Sequence, residues 1–342
     1  MQASTMQRAN GAATIETHQT LGPLRFGPIL KRLIWGGRRL ETILNKSLGD
    51  GADFAESWEI ADHRADVSRL ADGPLTGLSL RDLIAGHGRD LLGSALGSRT
   101  QFPLLVKFLD AHQVLSVQVH PDDALGQILV NDNGKTEAWV IVHAEPGSVI
   151  YAGLRPGVDR ARFEAALDSG AVEPLLHRFP AKAGDCILIP AGTVHAIGAG
   201  VVLAEVQQMS DATFRVFDWG RIGNDGQPRP LHRAEALASI DFNAGPVNPW
   251  VVEPETHPWG TLEPLARCAY FSLDRYRVQR PISLGSADRF TILVGLGGSA
   301  LVGGVGNNQR LEYGQTLLLP AALGLCEVVP EGEATVLSCV VP

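Results

Sequence analysis

Long hydrophobic runs, cysteine pairs and clusters of basic residues are all missing from this 342-residue sequence. No stretch of about 18 apolar residues occurs, so nothing predicts a membrane-spanning helix. The first twenty or so residues also lack the apolar core of a secretory signal. The four cysteines form no C-x-x-C pair, which excludes a zinc ribbon or disulfide framework and is typical of a reducing compartment. We therefore expect a cytoplasmic protein without a membrane partner.

Positive charge is also scarce. Lysine and arginine number 29 against 37 aspartates and glutamates, which gives a formal net charge of −8. Nucleic-acid binding draws most of its affinity from basic residues that displace counterions, and no basic run is present to do so. We expect no nucleic-acid partner, and the sequence leaves the oligomeric state open.

Short apolar runs rich in Val, Ile and Leu dominate the chain, and turn residues bound them: the sequence has 38 glycines and 21 prolines. Such runs predict strands of a barrel or sandwich, so the expected fold is mainly β. A chain of this length buries a large core without metal or disulfide staples. Any metal would therefore serve chemistry rather than folding.

Two segments interrupt the strand pattern with apolar residues three or four apart. Ser79 and Asp159 are good N-caps for them, and they predict short helical insertions near residues 79–95 and 159–177.

A stretch rich in proline and glycine after residue 226 predicts a passage between domains. We expect a flexible tail at 1–22, a metal-binding domain at 23–240 and a smaller C-terminal domain at 241–342.

The most informative motif is G-x5-P-x-G-x2-H, which runs from Gly184 through Pro190 and Gly192 to His195. A strand between glycine and proline, a tight turn at Gly192 and a second strand opening with His195 fit this spacing. The motif resembles the second sequence motif of the cupins, small jelly-roll barrels whose mouth holds a metal.

A partner for this motif lies upstream. Strand alternation places Ser116, Gln118 and His120 on one face and Val117 and Val119 on the other. We expect the polar side chains to point inward and the valines to pack outward.

Lys135, Glu137 and Trp139 share one face of the next predicted strand. A single His is usually structural, but the combination of two His, a carboxylate and an amide oxygen suits Zn²⁺ or another borderline divalent ion. The candidate ligands are Gln118, His120, Glu137 and His195.

Six ordered stretches resemble the type I mannose-6-phosphate isomerases in their short bacterial form, within the cupin superfamily. The resemblance is specific over residues 23–240 and weaker to the end, and its stretches are residues 34–38, 56–60, 102–110, 115–122, 134–139 and 190–198. It implies two cupin-type barrels, one zinc ion per chain and interconversion of mannose 6-phosphate and fructose 6-phosphate. The four candidate ligands match the family's zinc positions, with Gln118 left open because short forms can coordinate through two His and one Glu.

The resemblance also implies active-site roles for Lys135, Glu205 and Arg215. Glu205 lies in the apolar run VVLAEVQ, where a lone carboxylate is costly unless it is paired or catalytic. Arg215 is a candidate partner for it, so a structural Glu–Arg pair competes with the catalytic interpretation.

Aldose–ketose isomerisation moves one proton between C1 and C2 through an enediolate. A redox-inert cation stabilises the developing charge and a base moves the proton. Ser116, Lys135 and Arg215 are the candidate phosphate-binding residues. The base stays open between Glu205, Lys135 and a metal-bound water.

Residues 314–325 repeat the spacing of the G-x5-P motif, with Pro320 in the place of Pro190 and Leu325 in the place of His195. We expect a second, degenerate barrel without a metal. Gly295 begins a loose G-x-G-x-x-A dinucleotide fingerprint, but a strand-like sequence follows it where a nucleotide site needs a helix.

Two other functions compete with the isomerase. A cupin dioxygenase would hold Fe²⁺, but its sites commonly show H-x-H with a Glu a few residues on, whereas here Gln118 stands in the first position and Glu137 lies farther away. A non-catalytic sugar-binding cupin would not need Lys135, Glu205 and Arg215 together.

Overall fold

A computed structural model describes residues 21–223, 226–304 and 307–342. Most of the tail expected at residues 1–22 lies outside this part of the chain. Leu21, at its end, is buried in the largest hydrophobic cluster. The fold is mainly β, as the sequence predicts.

Fifteen strands lie in the first two thirds of the described chain. They are β1 Phe26–Gly27, β2 Ile29–Gly37, β3 Phe54–Ile60, β4 Asp62–His63, β5 Asp66–Val67, β6 Arg69–Leu70, β7 Leu104–Ala111, β8 Val117–Val119, β9 Glu137–Ala144, β10 Val149–Leu154, β11 Leu176–Pro180, β12 Cys186–Ile189, β13 His195–Ile197, β14 Val201–Gln208 and β15 Phe214–Phe217.

Ten more strands follow. They are β16 Glu255–His257, β17 Gly260–Arg267, β18 Ser272–Val278, β19 Ile282–Ser286, β20 Thr291–Gly297, β21 Ser299–Gly304, β22 Asn307–Glu312, β23 Thr316–Leu319, β24 Gly324–Pro330 and β25 Ala334–Val340. Gly295 and Gly297 lie within β20, and Gly298 alone separates β20 from β21. In the described part of the chain a strand therefore follows these glycines where a dinucleotide site needs a helix.

The strands form two pairs of antiparallel sheets. The first pair has the orders β12-β9-β14-β7-β3-β2 and β11-β10-β13-β8-β15, and the second has β16-β17-β18-β25-β20-β23 and β19-β24-β21-β22. The short strands also pair as β1-β6 and β4-β5. The orders β12-β9-β14-β7 and β11-β10-β13-β8 in the first pair recur in the second pair as β23-β20-β25-β18 and β22-β21-β24-β19, with every strand number higher by eleven. The chain therefore repeats one strand topology.

Helices connect the strands, and in the described ranges they are α1 Arg39–Thr42, α2 Leu80–Leu92, α3 Asp123–Val130, α4 Arg160–Ser169 and α5 Arg233–Ser239. Short 3₁₀ turns lie at Glu173–Leu175 and Ala321–Leu323. No helix in the described ranges has both the length and the apolar character required to span a bilayer.

Both predicted helical insertions are present. Ser79 caps α2 through a reciprocal capping box with Asp82, and Asp159 caps α4 by accepting from the backbone N–H of Arg162. The second helix is shorter than predicted because Gly170, with φ of 73°, adopts the left-handed conformation that ends it. The remainder of 159–177 is a 3₁₀ turn and the start of β11.

The largest hydrophobic cluster contains side chains from both pairs of sheets. Phe102, just before β7, and Phe290, just before β20, are fully buried, and their ring centroids lie 4.6 Å apart. This shared packing fixes the C-terminal sheets against the N-terminal ones.

A buried ion pair stabilises the C-terminal sheets. Glu263 on β17 is 6% exposed, lies across from Arg275 on β18 and contacts both Arg275 and Arg277. Burial would raise the pKa of the Glu263 carboxyl, but the two guanidinium groups outweigh it and hold that pKa below its usual value.

We expect Glu263→Gln to lower the free energy of unfolding by about 2–3 kcal/mol at pH 7, because it leaves buried guanidinium charge unpaired. A lowered carboxyl pKa contributes stability above the unfolded-state value and loses it as the pH falls through the folded-state value. The difference between wild type and variant should therefore narrow below about pH 4.5. Urea unfolding at several pH values measures this difference in the free energy of unfolding.

The control is Glu164→Gln, which breaks an exposed pair with Arg160. It should lower the free energy of unfolding by about 0.5 kcal/mol or less. A difference independent of pH would contradict the assignment.

Candidate metal centre

The turn between β12 and β13 brings two histidines together. Strand β12 ends at Ile189, and Gly192 adopts a φ of +87°, a conformation that favours glycine. The Gly192 N–H donates to the carbonyl of His120 over 2.9 Å, and His195 opens β13 three residues later. The motif read from the sequence thus forms a turn that fixes both histidines.

Strand β8 alternates as the sequence predicts. Val117 and Val119 are fully buried in a hydrophobic cluster, whereas Ser116 and Gln118 line a cavity on the other side. Gln118 lies directly across from His195 in the strand register. It is therefore placed beside the histidines, on the cavity side.

His120, Glu137 and His195 form one buried group in which the candidate ligand atoms all lie within 4.8 Å of one another. Glu137 Oε2 is 3.3 Å from His120 Nε2, and Glu137 Oε1 is 3.4 Å from His195 Nε2. Each residue is at most 1% exposed.

Burial sets the protonation of this group. Burial and the nearby Lys135 ammonium lower the pKa of His120 to about 3, and burial also lowers the pKa of His195. Burial would raise the pKa of Glu137, but Lys135 and His120 outweigh it and lower that pKa well below its usual value. At neutral pH two neutral imidazoles thus face one carboxylate.

Hydrogen bonds orient the imidazole rings. His120 Nδ1 lies 2.9 Å from the Ala212 carbonyl, and His195 Nδ1 lies 2.9 Å from the Thr193 carbonyl. A carbonyl only accepts, so each Nδ1 carries the proton and each Nε2 presents a lone pair to the centre of the group. This arrangement is common for metal-binding histidines.

The residues fit a metal ion. Glu137 Oε2 and His195 Nε2 are buried and make no hydrogen bond of good geometry within the described residues. Lys135 Nζ lies 3.0 Å from both His120 Nε2 and Glu137 Oε2. The imidazole lone pair and the carboxylate thus already hold one cationic group, the Lys135 ammonium, between them. Two imidazole nitrogens and a carboxylate are a donor set that divalent transition metals accept.

Glu205 lies next to this group, at the centre of the first six-stranded sheet. Its strand, β14, runs between β7 and β9, so its cross-strand neighbours are Lys107 and Trp139. Lys107 Nζ is 3.2 Å from Glu205 Oε1, and Trp139 Nε1 donates to Glu205 Oε2 over 3.1 Å. Burial and the nearby Glu137 charge raise the pKa of Glu205 to about 7.

The expected pairing of Glu205 with Arg215 is wrong. In the described part of the chain, the ion-pair partners of Glu205 are Lys107 and, at 3.9 Å, Lys135. Arg215 Nη1 donates instead to the carbonyl of Pro230 over 2.8 Å. The two residues lie on strands of different sheets, and both face the cavity between them.

The cavity has a volume of about 350 Å³ and carries more positive than negative side chains. Its cationic residues outnumber its carboxylates by two, and the charged lining residues are Lys31, Glu56, Lys107, Lys135, Glu205, Asp211, Arg215 and Arg229. Such a surface favours a small anionic ligand.

The sequence reasoning missed Lys107 and Glu56. Lys107 is 5% exposed within a strand whose eight residues are all buried, and Glu56 Oε2 lies 3.5 Å from its ammonium. Glu205 and Glu56 together raise the pKa of Lys107 against the opposing effect of burial. The signal was available: a lysine inside the run PLLVKFLDA is as anomalous as a glutamate inside VVLAEVQ.

Comparison with known proteins gives consistent results. The model of the phosphomannose isomerase type I catalytic domain matches residues 24–138. Mannose-6-phosphate isomerase ManA of Bacillus subtilis is 34% identical over 316 residues, which cover 89% of this chain and 95% of that protein. Mannose-6-phosphate isomerase of Streptococcus mutans is 32% identical over 304 residues, with 87% and 92% covered.

Solved structures agree. The crystal structure of mannose 6-phosphate isomerase from Bacillus subtilis superposes with a TM-score of 0.85 at 29% identity and covers 93% of this chain and 99% of its own. A variant of phosphomannose isomerase from Salmonella typhimurium, at 18% identity and a TM-score of 0.72, covers 94% and 99% and shares the fold.

We expect the metal-stripped protein to take up one Zn²⁺ per chain and to gain thermal stability. At a free Zn²⁺ concentration of about 100 times Kd the gain is about 2.7 kcal/mol, which raises Tm by roughly 5 °C. His195→Ala should abolish both uptake and shift because it removes a nitrogen donor from the buried group. Metal analysis after dialysis and thermal melting measure the two quantities.

His177→Ala is the matched control, since His177 pairs with Asn248 at a half-buried position away from this group. It should keep full uptake. Retention of one tightly bound zinc by His195→Ala would contradict the assignment of the site.

Proposed function

The chain belongs to the type I mannose-6-phosphate isomerases, and on this premise we propose that it interconverts mannose 6-phosphate and fructose 6-phosphate in the cavity beside its His–Glu–His group. The observation that carries the proposal is this group, bordered by a cavity with excess positive charge. A sugar phosphate brings a dianion together with adjacent oxygens at C1 and C2. The excess positive charge of the cavity matches the phosphate dianion, and the His–Glu–His group matches the adjacent oxygens at C1 and C2.

We assign His120, Glu137 and His195 as the ligands of a Zn²⁺ ion, with Gln118 as a further ligand on the cavity side. When bound, Zn²⁺ supplies a redox-inert Lewis acid that withdraws electron density from oxygen. The neutral state of both imidazoles supports this assignment, because no proton must leave them at pH 7.

We assign Glu205 as the group that moves the proton between C1 and C2. Its Oε1 is buried, faces the cavity and makes no hydrogen bond of good geometry within the described residues, while Trp139 holds Oε2. Burial raises the pKa of Glu205 above its usual value, which favours a carboxyl group that can both accept and return a proton. Lys107 and Lys135 stabilise its ionised form by charge.

The phosphate is assigned to Arg215, with Lys135 and Ser116 as further donors. Arg215 is half-buried at the cavity. Its Nη1 donates to the Pro230 carbonyl, whereas its Nε is buried and makes no hydrogen bond with a described residue. Burial and the neighbouring Arg229 lower its pKa, but a guanidinium stays charged at neutral pH. Its remaining N–H groups suit a phosphate, which they can contact in a bidentate manner.

We further infer two cupin-type domains, at 23–240 and 241–342. The repeated strand order supports this division. In the second set of sheets Leu325 stands in the place of His195 and is 70% exposed, so that set lacks a counterpart of this ligand. The chemistry is assigned to the first domain alone.

A coupled assay of mannose 6-phosphate conversion tests the function directly. We expect turnover that is lost with a chelator and restored by Zn²⁺, because the Lewis acid stabilises the charge that develops on oxygen. Oxygen uptake is measured in parallel, since a cupin dioxygenase would consume O₂. A zinc-loaded protein that binds sugar phosphate without converting it would contradict the isomerase and indicate a binding protein.

Two variants separate the proposed roles. Glu205→Gln should lower kcat by about 10²–10⁴-fold with little change in KM, because it removes the proton-transfer group. Arg215→Ala should lower kcat/KM by at least about 100-fold, mainly through a raised KM, because it removes a charged contact to the phosphate. Both should keep one zinc per chain. Steady-state kinetics with metal analysis checks this, and loss of zinc from either variant would reassign that residue to the metal site.

A further inference from the structure

The segment that carries Lys135 is held by three consecutive backbone N–H groups. The Gly134 N–H donates to Asp123 Oδ1 over 2.9 Å, the Lys135 N–H to the Pro121 carbonyl over 3.0 Å, and the Thr136 N–H to Gln208 Oε1 over 2.9 Å. Two of the three acceptors are side chains. The placement of Lys135 therefore depends on where Asp123 and Gln208 lie.

Asp123 connects these contacts. Its Oδ1 also accepts from Gln208 Nε2 over 2.8 Å, so one carboxylate oxygen holds Gly134 directly and Thr136 through Gln208. The segment lies tightly on the start of α3, because a Cβ at Gly134 would come within 2.5 Å of the Asp123 nitrogen. A shift of Asp123 would be transmitted to the backbone of Lys135.

The other oxygen of Asp123 is held from the C-terminal sheets. The Tyr270 hydroxyl donates to Asp123 Oδ2 over 2.9 Å. Tyr270 lies in the turn between β17 and β18, next to Phe271, which is fully buried in the core cluster shared by both pairs of sheets. Burial and the Asp123 carboxylate raise the pKa of Tyr270 to about 12, so the hydroxyl keeps its proton and remains a donor.

Open space borders this hydrogen bond. A cavity of about 410 Å³ is lined by Asp123, Asn133, Gln208 and Tyr270, among others. Packing alone therefore does not fix the Asp123 side chain. Its position depends on directional hydrogen bonds, of which the bond from Tyr270 holds Oδ2 and those from Gly134 and Gln208 hold Oδ1.

We propose that Tyr270 is a positioning residue for Lys135, acting through Asp123 and Gln208. The C-terminal sheets, which lack a counterpart of His195, thereby contribute to the active site of the first domain. This inference rests on the proposed function, because it is the catalytic use of Lys135 that gives the contact a consequence. Small misplacements of a catalytic group reduce turnover more than they reduce binding.

The test compares Tyr270→Phe, which removes only the hydroxyl, with Tyr313→Phe. Tyr313 lies in the turn between β22 and β23 of the C-terminal part, and its hydroxyl makes no hydrogen bond with any described residue, so it is a matched control. Tyr270→Phe should lower kcat about fivefold while KM stays within about twofold, because one hydrogen bond to a charged group is lost. Zinc content should not change, and Tyr313→Phe should leave kcat unaltered.

A double-mutant cycle tests the route. In an Asp123→Ala background, Tyr270→Phe should change kcat by less than about twofold, since the acceptor is already gone. A full additional fivefold loss would show that Tyr270 acts by another path. A lowered Tm with unchanged kcat would show a structural tie between the domains and no positioning role.

Amide hydrogen exchange separates this inference from the proposed function. Exchange at residues 133–137 should be faster in Tyr270→Phe than in wild type and unchanged in Tyr313→Phe. Inactivity of the wild-type protein on mannose 6-phosphate would overturn the proposed function and, with it, the catalytic role of Lys135. If the wild type is active, equal exchange and equal kcat in Tyr270→Phe would overturn the positioning role alone.

Discussion

The central constraint on this fold is that charged groups must be buried together on strands that are otherwise apolar. Glu205 and Lys107 each lie within a strand whose residues are all buried, and each would be strongly destabilising alone. The register of β14 against β7 puts them directly opposite each other. A slip of β14 by one residue would turn Glu205 to the opposite face of the sheet from Lys107, so the same pairing that builds the core also brings these two charges together.

The metal group depends on the two facing sheets of the first pair. His120 and His195 come from the end of β8 and the start of β13 in one sheet, while Glu137 begins β9 in the other. The Glu137 carboxylate therefore reaches both imidazoles from the opposite sheet, at 3.3 and 3.4 Å. Because both Nδ1 atoms are committed to carbonyl groups, the lone pairs converge without rearrangement of the rings.

The sequence predicted what is local and missed what depends on sheet order. The turn at Gly192, the alternation along β8 and the caps at Ser79 and Asp159 each follow from a few neighbouring residues, and the structure contains all of them. The partner of Glu205 could not be predicted in this way. Arg215 is ten residues away along the chain but lies in the other sheet, whereas Lys107 is adjacent only because β14 inserts between β7 and β9. The spacing of residues along the chain does not reveal which distant strands become neighbours in a sheet.

The second set of sheets repeats the strand topology of the first, but within the described residues it does not repeat the His–Glu–His group. Its strand order matches that of the first set, but an exposed leucine replaces the histidine that opens β13. Its core is continuous with the first through Phe102 and Phe290, so its surface turns are held at fixed positions relative to α3. Because the neighbouring Phe271 is buried in this core, the turn holds the Tyr270 hydroxyl in a fixed position from which it donates to Asp123. Under the proposed positioning role of Tyr270, the packing of the C-terminal sheets against the N-terminal ones therefore acts on the placement of Lys135.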